Sequence, residues 1–461
     1  MKKAWKALLD YFKNNAKDPS TDKYVEGGPA QPVDALTCGV LGSLVFILYY
    51  KIAYGFCISD SLQDMKAHAI FAQNFYLKPQ NFWEAWLKVP HMLWHLVVKT
   101  LESRLHFPLW NAASFTFALF GLFAFFVMTW FLYGLLKGHT GQKRLAYASL
   151  GAAALSFVGP YVCEWLTFDA YLGAFSPNPL HNPTHIASKG FGMLAMMAGI
   201  DVIRKYKRLS PLYFKKGVYV WFAISALLSV IAKPTFMYML LPAGVVIILI
   251  DLISAINACL VEGSKEEGQN GKEKKQLAKR QVEARSRLSA VWGGAWKLAL
   301  ATLPACAYVL TEYVALFYYG TEKGSGVVLT KPLEVWHFYT ADVKVAILLG
   351  MCFPLWMLLT NLGYFTKSAE GKLSLMGYAF GVLEFSILAE SGSRKDAGNF
   401  AWCMMAGMTV FFAVAVYRLM LVSLQQRTGN AKTAYLIFSW FLLALHVYSC
   451  LSYFEVFSTI L

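Results

Sequence analysis

Apolar runs recur along this chain at the length a bilayer core demands of a helix, about 20 residues with a range of roughly 17 to 25. They predict helices near residues 35–57, 112–136, 145–163, 186–203, 217–232, 236–256, 297–319, 343–362, 373–389, 400–421 and 433–457. The fold class that follows is all-α: a polytopic transmembrane helix bundle of about eleven spans, with a long helical first outer loop over 58–111. Polar punctuation refines the pattern. Lys233-Pro234 divides what would otherwise be one long run, because proline removes a donor and biases the residue before it away from the helical region, so a tight hairpin is expected. Residues 257–296 interleave Lys and Glu without an apolar period and read as a basic cytoplasmic loop, either a solvated linker or an amphipathic surface helix.

Ahead of the bundle, which spans 35–461, residues 1–34 form a cytoplasmic N-terminal segment. Trp5, Leu8, Leu9, Tyr11 and Phe12 fall on one helical face among Lys2, Lys3, Lys6 and Lys13, as in an interfacial amphipathic helix. A frayed basic tail is the alternative. The first apolar run starts near Ala35 with no small-residue cleavage pattern after it, so it reads as a signal anchor.

Composition agrees with lipid as the solvent. Of 461 residues 57% are hydrophobic and only 15% charged, too apolar for a soluble domain of this length. A formal net charge of +15 would suggest nucleic acid in a soluble protein, but its placement gives a different reading. With the N-terminus inside, 28 Lys and Arg fall in cytoplasmic segments and 10 in outer ones. That asymmetry predicts N-inside and C-outside topology, with no nucleic-acid partner. The eight cysteines are scattered singly in or beside apolar runs and read as small buried hydrophobes.

On this topology four outer segments collect the unusual polar residues. In the first, Asp60, Asp64 and His68 follow one another at four-residue spacing, so a helix starting near Ser59 would put them on one face. A carboxylate near the membrane surface suits a base for glycosyl or acyl transfer, although Ser59 or Asp60 as a helix cap would explain part of the pattern. The same loop continues into Lys88-Val-Pro-His-Met-Leu-Trp-His95, where Pro90 suits a first helical turn. His91 and His95 share a face, as do His181 and His185, but without a Glu or third ligand the pairs read better as core or interfacial histidines than as a metal site. The third segment carries Glu164 and Asp169 and ends in the turn cluster Ser176-Pro-Asn-Pro-Leu-His-Asn-Pro-Thr-His185. The fourth, Glu390-Ser-Gly-Ser-Arg-Lys-Asp-Ala-Gly-Asn399, sets Arg394 and Lys395 against the positive-inside trend, as a lipid phosphate would require. A solvated turn with Glu390 and Asp396 pairing the cations is the plain alternative. Glu384, inside its span, is a costly acid and hence a further candidate.

This combination resembles the GT-C superfamily of polytopic membrane glycosyltransferases, and the stretches Asn178-Pro-Leu-His-Asn-Pro-Thr184 and Gly398-Asn-Phe-Ala-Trp402 resemble bacterial cell-surface polysaccharide membrane proteins. The resemblance covers most of the chain in architecture and rests locally on Asp60 and Asp64 with His68, on the Pro90-His-Met-Leu-Trp-His-Leu96 stretch, and on Glu164 and Asp169. Superfamily members often carry adjacent acids in the first loop; here three residues intervene, and the base stays open between Asp60 and Asp64. The resemblance implies an enzyme in the bacterial plasma membrane that moves a sugar from a polyprenyl-phosphate donor to a glycan, lipid or protein acceptor, with inversion. Arg394 and Lys395, with His181, would face the leaving phosphate; His68, Glu164, Asp169 and Glu390 would help bind substrate. A divalent metal is compatible with carboxylates such as Asp60 and Glu164, though nothing demands one. Competing readings are a polysaccharide polymerase, which would lean on more outer arginines than Arg104 and Arg394; a lipid-linked glycan flippase or transporter, which would favour mid-membrane charges and inverted repeats; and a structural assembly subunit, which would tolerate neutral substitution of Asp60, Asp64 and Arg394.

Overall fold

The computed structural model describes residues 32–59, 64–74, 91–137, 143–160, 179–264, 271–319, 325–425 and 429–457. The first loop contributes two short helices between the first two long ones: α1 (Pro32–Ile58), α2 (Asp64–Gln73), α3 (Met92–Leu105) and α4 (Leu109–Leu135). The chain continues through α5 (Arg144–Ser156), α6 (Pro183–Tyr206), α7 (Val218–Ala232), α8 (Thr235–Gly263) and α9 (Gly271–Val314), which runs into a π turn at Ala315–Tyr319. It closes with α10 (Glu334–Tyr339), α11 (Val343–Thr360), α12 (Leu362–Lys367), α13 (Ala369–Ile387), α14 (Ala401–Leu424) and α15 (Asn430–Phe457). An antiparallel two-strand ribbon, β1 (Val327–Leu329) against β2 (Leu388–Glu390), pairs Val327 with Glu390.

A helix coincides with each of the eleven spans expected from the apolar runs, and among the described residues eight of them are long and apolar enough to cross a membrane. Of the other three, α7 is a shorter apolar helix, α5 stops after 13 residues, and α13 carries Glu370, Lys372 and Glu384. The basic stretch from residue 271 onward is helical and joins the next span without a break, giving α9 a length of 44 residues. Its Ala, Lys, Glu, Gln and Arg are strong helix formers, and no proline interrupts them before Pro304. Gln281 donates to the Glu262 carbonyl at 2.9 Å, tying this extension to the end of α8.

Burial separates the helices by role. The most apolar stretch of α14 is wholly buried and that of α6 is 89% buried, whereas in α1 only 28% is enclosed. Val33, Leu36, Val40, Leu44 and Ile47 of α1 recur at helical spacing and are exposed. An exposed apolar stripe of this kind is what a lipid-facing surface requires. Helices α13 and α14 approach at backbone distance: a Cβ added at Gly381 would lie 2.6 Å from the Cys403 carbonyl oxygen, and one at Gly407 would lie 2.8 Å from the Tyr378 Cα. Gly377 and Gly381 form the small-xxx-small pattern by which membrane helices gain van der Waals contact. This seam fixes the start of α14 against the end of α13, and both ends contribute to the site.

Candidate functional site

Eight separate stretches of chain close around one cavity of about 620 Å³. They come from α2, the start of α3, the turn before α6, the α7–α8 hairpin, the end of α9, β1 at Val327, α10 at Tyr339, and residues 390–403. Asp64 is the first residue of α2, and its side chain is 44% exposed. Asn182 Nδ2 donates to Asp64 Oδ2 at 3.0 Å, and His181 Nε2 stands 3.6 Å from the same oxygen. The sequence Asn182-Pro183 explains this placement. Asn182 is extended and caps α6 by accepting the His185 N–H at 2.9 Å, while Pro183 needs no donor in the first turn. The cap, the positive end of the α6 dipole and Asp64 therefore share one corner.

Lys233 enters from the α7–α8 hairpin. The proline at 234 disfavours helix at the residue before it, and Lys233 is extended at φ −172°, so its side chain leaves the helical course and turns inward. Its ammonium donates to Asn182 Oδ1 at 3.1 Å and lies 4.7 Å above the Trp402 ring. Burial lowers its pKa from 10.5 to about 8, with Asp64 and Glu390 acting in the opposite sense and Arg394 adding to the lowering.

The histidines of the first loop form a directed chain. His95 Nδ1 faces the His91 carbonyl at 3.3 Å; a carbonyl only accepts, so this nitrogen carries the proton. His95 Nε2 is then the acceptor for His68 Nδ1 at 2.9 Å, which leaves the lone pair of His68 on Nε2. Burial holds both rings neutral: His68 is pushed down to about 3 and His95 well below its usual value. His181 is likewise lowered by burial, which outweighs the opposing pull of Asp64. His91 takes a left-handed conformation at φ 59°, held by its N–H donating to Glu312 Oε1 at 2.9 Å.

Across the cavity, Glu390 Oε2 accepts from Arg394 Nε at 2.6 Å and from Asn399 Nδ2 at 2.8 Å. The turn that carries Arg394 closes at Gly398, whose φ of +62° and contact with the Tyr339 hydroxyl leave no room for a side chain. Val309, Leu316 and Phe317 of α9 and its π turn supply an apolar wall.

The structure thus brings together Asp64, His68, His181, Glu390 and Arg394 from the residues singled out in the sequence. Lys395 does not line the cavity and pairs with Glu334 on α10. Glu384 on α13 does not line the cavity but accepts from the thiol of Cys403, which does. Asp60, Glu164 and Asp169 lie outside the described residues. Among the described residues no three His, Cys, Asp or Glu side chains group as ligands for a metal ion, and the carboxylates expected to suit one, Asp60 and Glu164, are not among them. Lys233, Asn182, His95 and Glu312 are the residues that sequence reasoning did not place in the site. Lys233 had one visible signal, a cation on the side where cations are scarce.

The cavity offers a proton acceptor in Asp64, two cations in Lys233 and Arg394, neutral imidazoles that exchange hydrogen bonds, and an apolar side. Among solved structures, the chain is similar to the Archaeoglobus fulgidus oligosaccharyltransferase tethered with an acceptor peptide, with TM-score 0.40, 11% identity, and coverage of 90% of this chain and 55% of that one. The apo form of that protein gives TM-score 0.39 and 12% identity over 89% of this chain and 56% of that one. The chain therefore spans little more than half the length of these structures. No family model matches the sequence, and no curated protein matches it.

Proposed function

We propose that the chain is a membrane glycosyltransferase of the GT-C type that uses a polyprenyl-phosphate-linked sugar at the exoplasmic face of a bacterial plasma membrane. The observation that carries this reading is the enclosure of Asp64, Lys233 and Arg394 in one cavity with an apolar side. A phosphate needs cations, a sugar needs neutral hydrogen-bonding groups, and an isoprenoid needs an apolar wall. Asp64 takes the proton of an acceptor hydroxyl as that oxygen bonds to the anomeric carbon. The bond from the anomeric carbon to the phosphate oxygen breaks, polyprenyl phosphate leaves, and attack from the opposite face inverts the centre. Lys233 and Arg394 stabilise the charge that grows on the departing phosphate. His68 Nε2, an acceptor by the tautomer chain, orients a sugar hydroxyl. The acceptor is a glycan, lipid or protein hydroxyl, and the excess of Lys and Arg in the segments expected on the N-terminal side of the membrane supports a reading in which this chemistry lies outside the cell.

The test is Asp64→Asn in cells that make the glycan. Product is lost while the protein inserts normally. Unchanged product would refute the assignment, and loss with Asp60→Asn alone would move the base to Asp60.

A further inference from the structure

Asn182 occupies a place that a cap does not require. Its Oδ1 accepts from three groups: the His185 backbone N–H at 2.9 Å, the Thr184 hydroxyl at 2.7 Å and the Lys233 ammonium at 3.1 Å. A backbone N–H and an ammonium can only donate, so the amide cannot be turned over without setting donors against donors. With Oδ1 so fixed, Nδ2 has one direction, and along it lies Asp64 Oδ2 at 3.0 Å. Asn182 is itself buried at 4% exposure, so water does not compete for the amide.

We infer that Asn182 is a positioning residue for Asp64: an amide locked by the α6 terminus and Lys233 that holds one carboxylate oxygen and leaves the other to face the acceptor. This inference rests on the proposed function and adds to it a coupling between the anion-binding side and the base. Lys233 touches the phosphate side and, through one amide group, sets the orientation of Asp64. The charged and imidazole groups that share the cavity with Asp64 are His181 and Lys233 close by, with His68, His91, His95, Glu312, Glu390 and Arg394 around the rest of it.

The discriminating variant is Asn182→Asp. Aspartate caps a helix as well as asparagine does and keeps an oxygen for Thr184, His185 and Lys233. It replaces the donor to Asp64 with a second carboxylate oxygen, and two carboxylates at that distance hold a proton between them. The assay uses membranes that contain the endogenous acceptor and a panel of polyprenyl-phosphate hexoses tritiated in the isoprenoid, with release of polyprenyl phosphate as readout. Asn182→Asp should lower turnover by about 100-fold at neutral pH and move the acid limb of the pH–rate profile upward by at least about one unit. Asn182→Ser keeps a capping oxygen, removes the amide, and should lower turnover by about 10-fold with donor KM unchanged; it decides the matter if Asn182→Asp fails to insert. A purely structural cap predicts wild-type turnover and pH profile in both variants, and that result overturns the inference. Asp64→Asn separates the two readings. If it is inactive while both Asn182 variants behave as wild type, positioning alone fails; if it is active, the base and its positioning residue fall together.

Discussion

Replacing Lys233 with methionine separates anion binding from protein stability, because the two respond in opposite directions. Methionine fills the unbranched volume of the lysine stem and removes the ammonium. In the native protein that ammonium is buried, at 6% exposure, and its pKa falls from 10.5 to about 8. A drop of that size corresponds to roughly 3 kcal/mol spent on keeping the charged form buried. The hydrogen bond to Asn182 Oδ1 returns on the order of 1 kcal/mol. Lys233→Met should therefore be at least as stable as wild type near neutral pH.

Donor binding should move the other way. A charge-assisted hydrogen bond to a phosphate oxygen contributes about 1.5–3 kcal/mol, so the variant should bind a polyprenyl phosphate roughly 10- to 150-fold more weakly. The sign with pH follows from the lowered pKa. Wild-type Lys233 is charged below about 8 and loses its proton above it, so affinity in the wild type should fall as pH rises through that value. The variant has nothing to lose and should be flat across the same window. The assay is equilibrium binding of a tritiated polyprenyl phosphate to protein in nanodiscs, between about pH 7 and pH 9, beside thermal unfolding of the same samples. Equal affinity in variant and wild type, or an alkaline loss that persists in the variant, refutes the role given to Lys233.

Two further outcomes follow from packing and protonation. His68 is held neutral down to about 3 by burial, whereas an unfolded histidine takes a proton near 6.5. The unfolded state therefore binds more protons as pH drops below about 6.5, and stability is lost on acidification; His68→Gln should flatten the fall in Tm between about pH 7 and pH 5. Gly381→Leu should force apart the α13–α14 seam, where even a Cβ would meet the Cys403 carbonyl oxygen at 2.6 Å. Overpacking of this kind costs about 1–3 kcal/mol, and activity should fall with it because Glu390 and Trp402 sit at the ends of those helices. A Gly381→Leu protein of wild-type Tm and turnover would show that the seam is not as tight as the geometry requires.

The helices were legible in the sequence for a physical reason: a bilayer leaves a single-segment element no alternative to satisfying its own backbone, so length and hydropathy suffice. The gathering of Asp64, His68, His181, Glu390 and Arg394 was legible only as a list of polar residues in loops expected on one face. Convergence depends on contacts such as Asn182 with Asp64, 118 residues apart, which no local pattern encodes. Lys233 read as the mark of a hairpin, and the consequence of Pro234 for its backbone was visible, but its turn toward Asn182 was not. Lys395 reads in sequence as the partner of Arg394, yet Glu334, 61 residues away, claims it. The basic segment before Trp296 lacked an apolar stripe, and its helix is carried by propensity and by contact with α8 instead.

Glycosyl transfer at this site requires that the cavity bind a prenyl-phosphate sugar and that Asp64 take the acceptor's proton. One labelled polyprenyl-phosphate hexose, the best of the panel, is followed on wild-type protein and Asp64→Asn in membranes that contain the endogenous acceptor, measuring donor binding and release of polyprenyl phosphate in the same samples. Donor affinity should be equal within about 2-fold, and release should fall by at least about 100-fold in the variant. Release at the wild-type rate from Asp64→Asn, or no binding of any donor by either protein, contradicts this assignment.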